Sequence, residues 1–279
     1  VGAKPVVVDS RPYTLNIDDT AIERAITPLT RAIGVVHYAG VACEMDAITS
    51  VARRHSLVVV EDAAQGVNAF YKNRALGSLG TLGTYSFHET KNYMCGQGGA
   101  LCINAPELET RAANIRNKGT NRDEFLAGGV DRYTWVDVGS AYVPSEISAA
   151  FLCSQLEMLE TISVRRREIY QFYYQHLRPL HDDSLLELPF VPAHCTSNCH
   201  MFHICLRDRA TRDALLADLR DDGIDAVFHY APLHDSPMGR KYGYRTGDLP
   251  VTESASERLL RLPFFHEITV EEQLRVIRS

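Results

Sequence analysis

Three polar residues stand at the ends of apolar, strand-like runs, and their side chains could hold a reactive aldehyde. Asp62 closely follows the run 57–60, and Ser86 and Lys91 lie at the end of the run that starts at residue 82. A lysine can form a Schiff base with an aldehyde, a carboxylate can keep a pyridine nitrogen protonated, and a hydroxyl group can bind phosphate. These are the requirements of pyridoxal phosphate, so Lys91, Asp62 and Ser86 make a candidate site for that cofactor.

An ordinary structural interpretation of the same residues stays open. A carboxylate at the end of a strand is often an N-cap or loop residue, and a lone lysine is usually a solvated charge. The glycines that follow Lys91 would let the backbone pass close to a ligand, at Gly96, Gly98 and Gly99. Residue types and spacing alone do not choose between the two interpretations.

The first half of the chain alternates strand and helix patterns, which is typical of a mostly parallel sheet covered by helices. In such a sheet the chemistry lies beyond the carboxyl ends of the strands, where these residues stand. Apolar runs predict strands, and apolar residues at helical spacing predict helices. The strands are predicted at 6–9, 31–40, 57–62, 83–87 and 100–103, and the helices at 18–26 and 45–55.

The second half predicts a smaller α+β domain attached through a long helix. An amphipathic helix begins after Ser145, its predicted N-cap, and runs to about Leu177, with room for a break. Later segments predict strands in HMFHICL and DAVFHY, a helix at 211–222 between them and a last helix from about Val270. We therefore expect a cofactor-binding large domain at 1–165, which includes the start of the connecting helix, and a C-terminal small domain at 166–279.

Composition and charge favour small-molecule chemistry. The chain has 279 residues, 45% of them apolar and 23% charged, with a net charge of −6 and no basic stripe. We therefore expect no nucleic-acid or membrane partner, and a cytoplasmic protein whose seven cysteines are reduced thiols. The chain opens on a strand pattern without a methionine, so we expect that part of the first domain precedes it.

Several other residues have structural interpretations that we prefer. Thiols and imidazoles could ligate zinc, but their spacing matches no common zinc pattern, so we predict no metal site. His37 is predicted to be a locally hydrogen-bonded strand-end residue, Trp135 part of a packed interface, and the cluster 165–167 a solvated helix face. The zinc candidates considered are Cys195, Cys199, His200, His203 and Cys205.

Six stretches taken together resemble the DegT/DnrJ/EryC1/StrS family of sugar aminotransferases, in register over essentially all of the chain. The resemblance implies the type I, aspartate aminotransferase-like fold, pyridoxal phosphate, and a homodimer whose active site is shared between subunits. It also implies a further N-terminal quarter of the protein. The stretches are VVEDAAQG, YSFHETKN with GQGGALCIN, NKGTNR, YTWVDVGSAYVPSEISAAFLCSQLE, VFHYAPLH and SERLLRLPFF.

The resemblance also implies roles for individual residues. Lys91 would carry the cofactor and then move the proton between the substrate carbon and the cofactor. Asp62 would pair with the pyridinium nitrogen, and Gln65 would contact the 3-oxygen of the ring. Ala64 would pack against one ring face, and Ser86 would bind the phosphate.

Three further positions would lie near the nucleotide sugar, namely His88, His229 and Tyr230. The family often has NYR where this chain reads Ser140, Ala141 and Tyr142; there the asparagine of one subunit reaches the phosphate bound by the other, and Ser140 could still donate one hydrogen bond. The family's GEGG appears with Gln97 in place of the glutamate.

The reaction implied is transfer of an amino group from L-glutamate to a nucleotide-linked keto sugar. The expected acceptor is dTDP-4-keto-6-deoxyglucose, which would give dTDP-4-amino-4,6-dideoxygalactose. An enzyme that acts on a C3 keto sugar or a UDP-linked sugar is an alternative. A non-catalytic interaction protein on a shortened aminotransferase fold is another.

Overall fold

The computed structural model describes residues 2–279, and strands alternate with helices through the first half of the chain. The strands are β1 (Ala32–Val36), β2 (Val58–Asp62), β3 (Phe70–Tyr71), β4 (Arg74–Ala75), β5 (Leu82–Ser86), β6 (Gly99–Ile103), β7 (Leu186–Glu187), β8 (Cys195–Thr196), β9 (His203–Leu206), β10 (Val227–Phe228) and β11 (Leu259–Arg261). The α-helices are α1 (Asp19–Ala25), α2 (Met45–Arg54), α3 (Glu109–Arg116), α4 (Arg122–Leu126), α5 (Glu146–Glu157), α6 (Leu159–Asp182), α7 (Arg209–Asp221), α8 (Pro237–Lys241), α9 (Pro250–Arg258) and α10 (Val270–Arg278).

The first sheet is mixed and mostly parallel, as the alternation of elements predicts. Its strand order is β1-β2-β5-β6, with β1, β2 and β5 parallel and β6 antiparallel to β5. In the register, Asp62 lies between Val36 of β1 and Thr84 of β5. The carboxyl ends of three strands therefore meet at one edge, where the polar candidates stand.

Helix α2 covers this sheet because its apolar residues recur at helical spacing. Met45, Ile48, Val51 and Ala52 are all buried, and they pack in one cluster with Ile33, Val35 and Val59 of the sheet. Helix α1 begins after Asp18, whose carboxylate accepts a hydrogen bond from the Thr20 N–H at 3.1 Å. Both helices lie where the sequence predicts them.

The predicted strand at 6–9 is wrong. These residues adopt no regular secondary structure, and they contact the C-terminal part of the chain. The Asp9 carboxylate accepts hydrogen bonds from the N–H groups of Val251 and Thr252, in the first turn of α9, and Val7 donates to the Tyr244 hydroxyl at 2.9 Å. The segment does not pair as a strand, because the Val7 N–H bonds to a side chain and the Asp9 carboxylate bonds to the start of α9.

The second half contains an antiparallel sheet of order β10-β11-β9-β7 with its own apolar cluster. Helix α6 contributes Ile169, Tyr173 and Leu177 to that cluster. The predicted long helix exists with its predicted N-cap, since the Ser145 hydroxyl accepts from the Ser148 N–H, and it bends by 62° between α5 and α6. Within residues 2–279 no single helix suits a membrane span, although the bent pair α5 and α6 meets the criteria of length and composition.

The prediction of a solvated face at residues 165–167 is wrong for two of the three arginines. The Arg166 side chain is buried and donates hydrogen bonds to the carbonyl oxygens of Cys199 and His200, at 3.0 and 2.6 Å. Arg165 similarly donates to the carbonyls of His266 and Ile268. Backbone carbonyls from distant loops stabilise these cations, which a pattern within the helix does not reveal.

The buried carboxylate of Glu61, next to Asp62 in β2, pairs with His37, which follows β1. Both His37 and Glu61 are fully buried, and their side chains meet at 2.9 Å. The His37 Nδ1 accepts from the Cys43 N–H, so Nε2 carries the proton and donates it to Glu61. The carboxylate also accepts from the N–H groups of Gly77, Leu79 and Gly80. The prediction that His37 is a structural histidine is confirmed.

Replacing Glu61 with glutamine is expected to lower the free energy of unfolding by about 3 kcal/mol, because one oxygen becomes an NH₂ group that faces existing donors. Burial raises the pKa of Glu61, but His37 and the N–H groups of Gly80 and Gly77 more than reverse this, so the pKa is lowered. The charged carboxylate therefore contributes fully above the pKa of an unfolded glutamate, and the contribution is lost as the pH falls through the folded value.

Urea unfolding of Glu61→Gln at neutral and acidic pH checks this expectation. Glu160→Gln is the matched control, because Glu160 is exposed and pairs only with the surface residue Arg167. The control should change stability by less than about 0.5 kcal/mol. Equal stability of the two variants at neutral pH would contradict the argument.

Candidate active site

The structure brings four of the predicted residues to one cavity at the edge of the first sheet. Ala64 and Gln65 lie in the turn after β2, Ser86 ends β5, and Lys91 lies in the loop after β5. All four line the cavity, and the Asp62 charge acts on Lys91 from the end of β2. Side chains that are up to 29 residues apart in sequence meet because the two strands are parallel neighbours.

The Lys91 amine is available for chemistry. Its side chain is half-buried, and among the described residues its Nζ makes no hydrogen bond and no ion pair. Burial lowers the pKa of Lys91; the charge of Asp62 acts in the opposite direction, and that of Arg261 adds to the lowering. The amine therefore loses its proton more readily than a surface lysine, as a nucleophile requires.

Asp62 supplies a carboxylate that is not paired with a cation of this chain. Its Oδ1 accepts one hydrogen bond, from the Ala64 N–H at 3.0 Å, and the residue is exposed. Side chains alternate along a strand, so Glu61 points to the opposite face and enters the buried contact with His37. The remaining oxygen of Asp62 is free to accept a proton donor from a ligand.

The turn that carries Gln65 is fixed from both sides. The Gln65 Oε1 accepts from the Ala39 N–H at 2.7 Å, which leaves its NH₂ group free to donate. Asn198 donates to the carbonyls of Gln65 and Val67, while its own buried Oδ1 has no partner. Gly40 is required here, because a Cβ at that position would lie 2.0 Å from the Asn198 Oδ1.

Ser86 and the glycines after Lys91 differ in what they offer. The Ser86 hydroxyl oxygen accepts from the His88 N–H at 3.3 Å, so its own proton is free for a ligand. Side chains at Gly98 and Gly99 would meet the Cys95 sulfur and the Tyr85 carbonyl, at 2.5 and 2.9 Å. These two glycines therefore let the loop pack on the protein itself.

Five cavity residues were missed as site residues by sequence reasoning, and three of them, Asn92, Asn198 and His200, bond to one another. Asn92 donates to the Asn198 carbonyl at 3.1 Å, and its Oδ1 lies 2.9 Å from the Nδ1 of His200. Burial lowers the pKa of His200 well below its usual range, with further lowering from the charges of Arg166 and Lys91, so the imidazole is neutral. The partners lie more than 100 residues apart, so no local signal could have identified them.

The remaining predicted residues lie outside this cavity. Ser140 is exposed, and its carbonyl accepts from the Lys118 N–H at 3.0 Å. His88 contacts Thr90 through its ring, and His229 contacts the Tyr38 hydroxyl. Tyr230 is 78% exposed.

The cysteines and histidines considered for zinc are dispersed. His203 packs its ring against Tyr38, and burial lowers the pKa of His203 to about 4. Cys195 belongs to β8, in a different sheet from His203. Throughout residues 2–279, no group of three or more His, Cys, Asp or Glu side chains is placed to hold a metal ion.

The residues around the cavity fit pyridoxal phosphate by their chemistry. An amine without a partner can bind the aldehyde, and an uncompensated carboxylate can pair with the ring nitrogen. Ala64 leaves room beside a flat ring, while the Gln65 amide and the Ser86 hydroxyl are free donors for its oxygens.

The fold and this site define an α/β enzyme of the type I, aspartate aminotransferase-like class, since solved aminotransferases superpose on nearly the whole chain. Residues 1–279 match the model of the DegT/DnrJ/EryC1/StrS aminotransferase family, and the chain belongs to that family. Members of this family are pyridoxal phosphate enzymes.

Individual relatives support both statements. Aminotransferase TlmJ from Streptoalloteichus hindustanus is 32% identical with a TM-score of 0.89, over 99% of this chain and 72% of that one. DesV from S. venezuelae, solved with a ketimine intermediate, is 33% identical with a TM-score of 0.87, and the match covers 98% of this chain and 70% of DesV. A pleiotropic regulatory protein of Geobacillus stearothermophilus is 36% identical over 100% of this chain and 72% of its own length.

Proposed function

We propose that this aminotransferase depends on pyridoxal phosphate and moves an amino group from L-glutamate to a nucleotide-linked keto sugar. One observation carries the proposal: the unpaired, half-buried Lys91 amine lies close enough to Asp62 for their charges to interact. A structural lysine would be paired or solvated, and a structural aspartate would cap a helix or bind a cation. Lys91 is unpaired and half-buried, and Asp62 keeps one carboxylate oxygen free while the other accepts from the Ala64 N–H.

Each cavity residue has a role in this proposal. The cofactor, when bound, withdraws electrons from the carbon that carries the amino group. Asp62 holds the ring nitrogen in its protonated form, Gln65 donates to the ring oxygen, and Ser86 donates to the phosphate. Ala64 packs against one face of the ring. These roles agree with the free donors and acceptors of the three polar side chains.

Lys91 would have a second role whenever its amine is not bound to the cofactor. Its amine then accepts the proton from the amino-bearing carbon and returns it to a neighbouring atom. A lowered pKa suits this exchange, because the amine is then more often neutral and able to accept. His200 and Asn92 lie beside it in the cavity and stay uncharged, so they do not compete for the proton.

For the sugar, we propose dTDP-4-keto-6-deoxyglucose as acceptor and dTDP-4-amino-4,6-dideoxygalactose as product. The support is the resemblance of the whole chain to the transaminase that makes this sugar for common antigen synthesis, a group that shares the serine found here at Ser140. His88, His229 and Tyr230 would contact the nucleotide sugar. A C3 keto sugar or a UDP-linked sugar is the alternative acceptor.

We also propose a homodimer in which Ser140 reaches the phosphate site of the partner. The segment around Ser140 exposes large apolar side chains, which a partner subunit would cover. Within each subunit, we propose a large domain at 1–165 and a small domain at 166–279. The exposed side chains include Trp135, Val138, Tyr142 and Ile147, which are 76, 70, 66 and 84% exposed.

The proposed function is tested by the visible spectrum of the full-length protein with pyridoxal phosphate, before and after borohydride, followed by peptide mapping. We expect an absorption band that borohydride abolishes, and a single modified peptide that contains Lys91. L-glutamate should discharge the band, and dTDP-4-keto-6-deoxyglucose should restore it. A folded dimer that shows no such band would favour a non-catalytic protein on the same fold.

A further inference from the structure

Within the described chain, His200 uses only one of its two ring nitrogens. The Asn92 NH₂ group donates to the Asn198 carbonyl, so the Asn92 Oδ1, 2.9 Å from the His200 Nδ1, accepts the proton of that nitrogen. Nε2 is then left with a lone pair that accepts from no described residue. This nitrogen is not sealed inside the protein, so it is open to the cavity that His200 lines. By contrast, the structural histidine His37 uses both of its nitrogens.

The turn that carries His200 is held in an unfavourable backbone conformation. Cys199, the residue before it, has a φ of 52°, in the left-handed region that residues with a side chain seldom adopt. Arg166 of α6 donates to the carbonyls of Cys199 and His200, and Asn198 donates to that of Gln65. Such a conformation persists only where the surrounding contacts fix it, so the ring is held in one orientation at the cavity.

The surroundings of His200 keep its ring neutral. Burial lowers the pKa of His200 well below its usual range, and Arg166, Lys91, Arg261 and His229 lower it further. These four basic groups come from α6, the loop after β5, the end of β11 and the segment after β10. The ring therefore takes up no proton at neutral pH, and Nε2 stays a hydrogen-bond acceptor.

Lys91 is the side chain of the cavity that is left to donate to this lone pair. Its amine has no partner among the described residues, and its charge acts on the His200 ring. Gln65 and Ser86 keep free donors, but the proposed function assigns both to the cofactor. The other cavity side chains with donors bond within the protein, namely Asn92, Tyr93 and Asn198.

We propose that His200 is a positioning residue whose Nε2 accepts a hydrogen bond from the Lys91 amine whenever that amine is not bound to the cofactor. This inference rests on the proposed function and adds a residue that orients the group that moves the proton. An amine held at one N–H presents its lone pair in fewer orientations, which favours the transfer. Because the ring is too weak a base to take the proton, Lys91 keeps the proton that it must return.

The first test is the ¹⁵N NMR spectrum of histidine-labelled, full-length protein, both without cofactor and with pyridoxamine phosphate, since the Lys91 amine is free in both forms. The variant His200→Gln assigns the two ring signals. We expect a proton on Nδ1 and none on Nε2 throughout the neutral pH range. In Lys91→Ala the Nε2 signal should move away from the position of a protonated nitrogen. His176 is the control, because its ring is exposed and bonds to the Phe172 carbonyl.

The second test separates positioning from a general loss of structure. His200→Phe removes the acceptor, His200→Gln keeps one, and His176→Phe is the matched control. We expect His200→Phe to slow the single-turnover discharge by L-glutamate on the order of 10-fold, His200→Gln to slow it less, and the control to match wild type. The affinity for L-glutamate should be the same in all. Since an accepted hydrogen bond favours the charged amine, capture of an aldehyde by cofactor-free His200→Phe should rise at lower pH than in wild type.

Three results would overturn the inference: a proton on Nε2, an Nε2 signal that is the same in Lys91→Ala, or wild-type rates in a folded His200→Phe protein. The NMR test uses wild-type His200, so it decides the question even where His200→Phe does not fold. If L-glutamate fails to discharge the wild-type protein while the Nε2 signal of the cofactor-free form still depends on Lys91, the proposed function fails and the contact between the two side chains stands.

Discussion

Replacing Lys91 with alanine is expected to slow transamination by at least about 1,000-fold, because it removes both the nucleophile and the group that moves the proton. The substitution should leave the fold intact, since the Lys91 amine makes no hydrogen bond or ion pair with the described residues. The rate is measured as discharge of the cofactor band by L-glutamate in a single turnover. Circular dichroism and thermal unfolding report the fold.

The matched control is Lys72→Ala. Lys72 is exposed and forms a surface ion pair with Asp46, so its loss should leave the rate unchanged and alter stability by less than about 1 kcal/mol. A small alkylamine added to Lys91→Ala should restore part of the rate, since it can enter the space left by the side chain. Transamination by Lys91→Ala at the wild-type rate would exclude Lys91 as the reactive amine.

Replacing Asp62 with asparagine is expected to produce the second large loss of activity, on the order of 100-fold or more. Asparagine keeps the shape of the side chain and can still accept from the Ala64 N–H. It cannot hold the ring nitrogen of the cofactor in its charged form, so the ring withdraws electrons less strongly. The loss should appear in the single-turnover rate and much less in the affinity for L-glutamate.

The same substitution has an effect on Lys91 that a general loss of structure would not produce. The charge of Asp62 raises the pKa of Lys91, so removing that charge should lower this pKa further. Capture of an aldehyde by the apo protein requires the neutral amine, and its rate rises with pH through that pKa. We expect the rise to move to lower pH in Asp62→Asn and to stay in place in Asp46→Asn, an exposed control paired with Lys72. A shift to higher pH would contradict the assigned proximity.

Much of the local structure was predictable because the information lies in neighbouring residues. Apolar residues at helical spacing predicted α2, and continuous apolar runs predicted β1 and β2. Ser145 was recognised as an N-cap from its residue type and position. Asp62, Ser86 and Lys91 were recognised as site candidates because each lies near the carboxyl end of a predicted strand. These features depend on contacts over a few residues, which sequence patterns record directly.

The contacts between the two halves of the chain were not predictable in this way. Asn198 bonds to the carbonyl of Gln65, 133 residues away, and no pattern within either segment records that partnership. The same holds for the buried Arg166, which bonds to the carbonyl of Cys199, and for Asp9, which bonds to the start of α9. In each case the local pattern allowed a different outcome, and the available partners decided it.

The sequence by itself therefore determined the helices α1 and α2, the strands of the first sheet, the class of the fold and the chemical types gathered at the strand ends. Only the tertiary structure decided that Lys91 is unpaired and half-buried, and that the charge of Arg261 acts on the Lys91 amine. The physical reason is that helical and strand periodicity follow from bonded neighbours, whereas burial and charge depend on everything that surrounds a side chain in space.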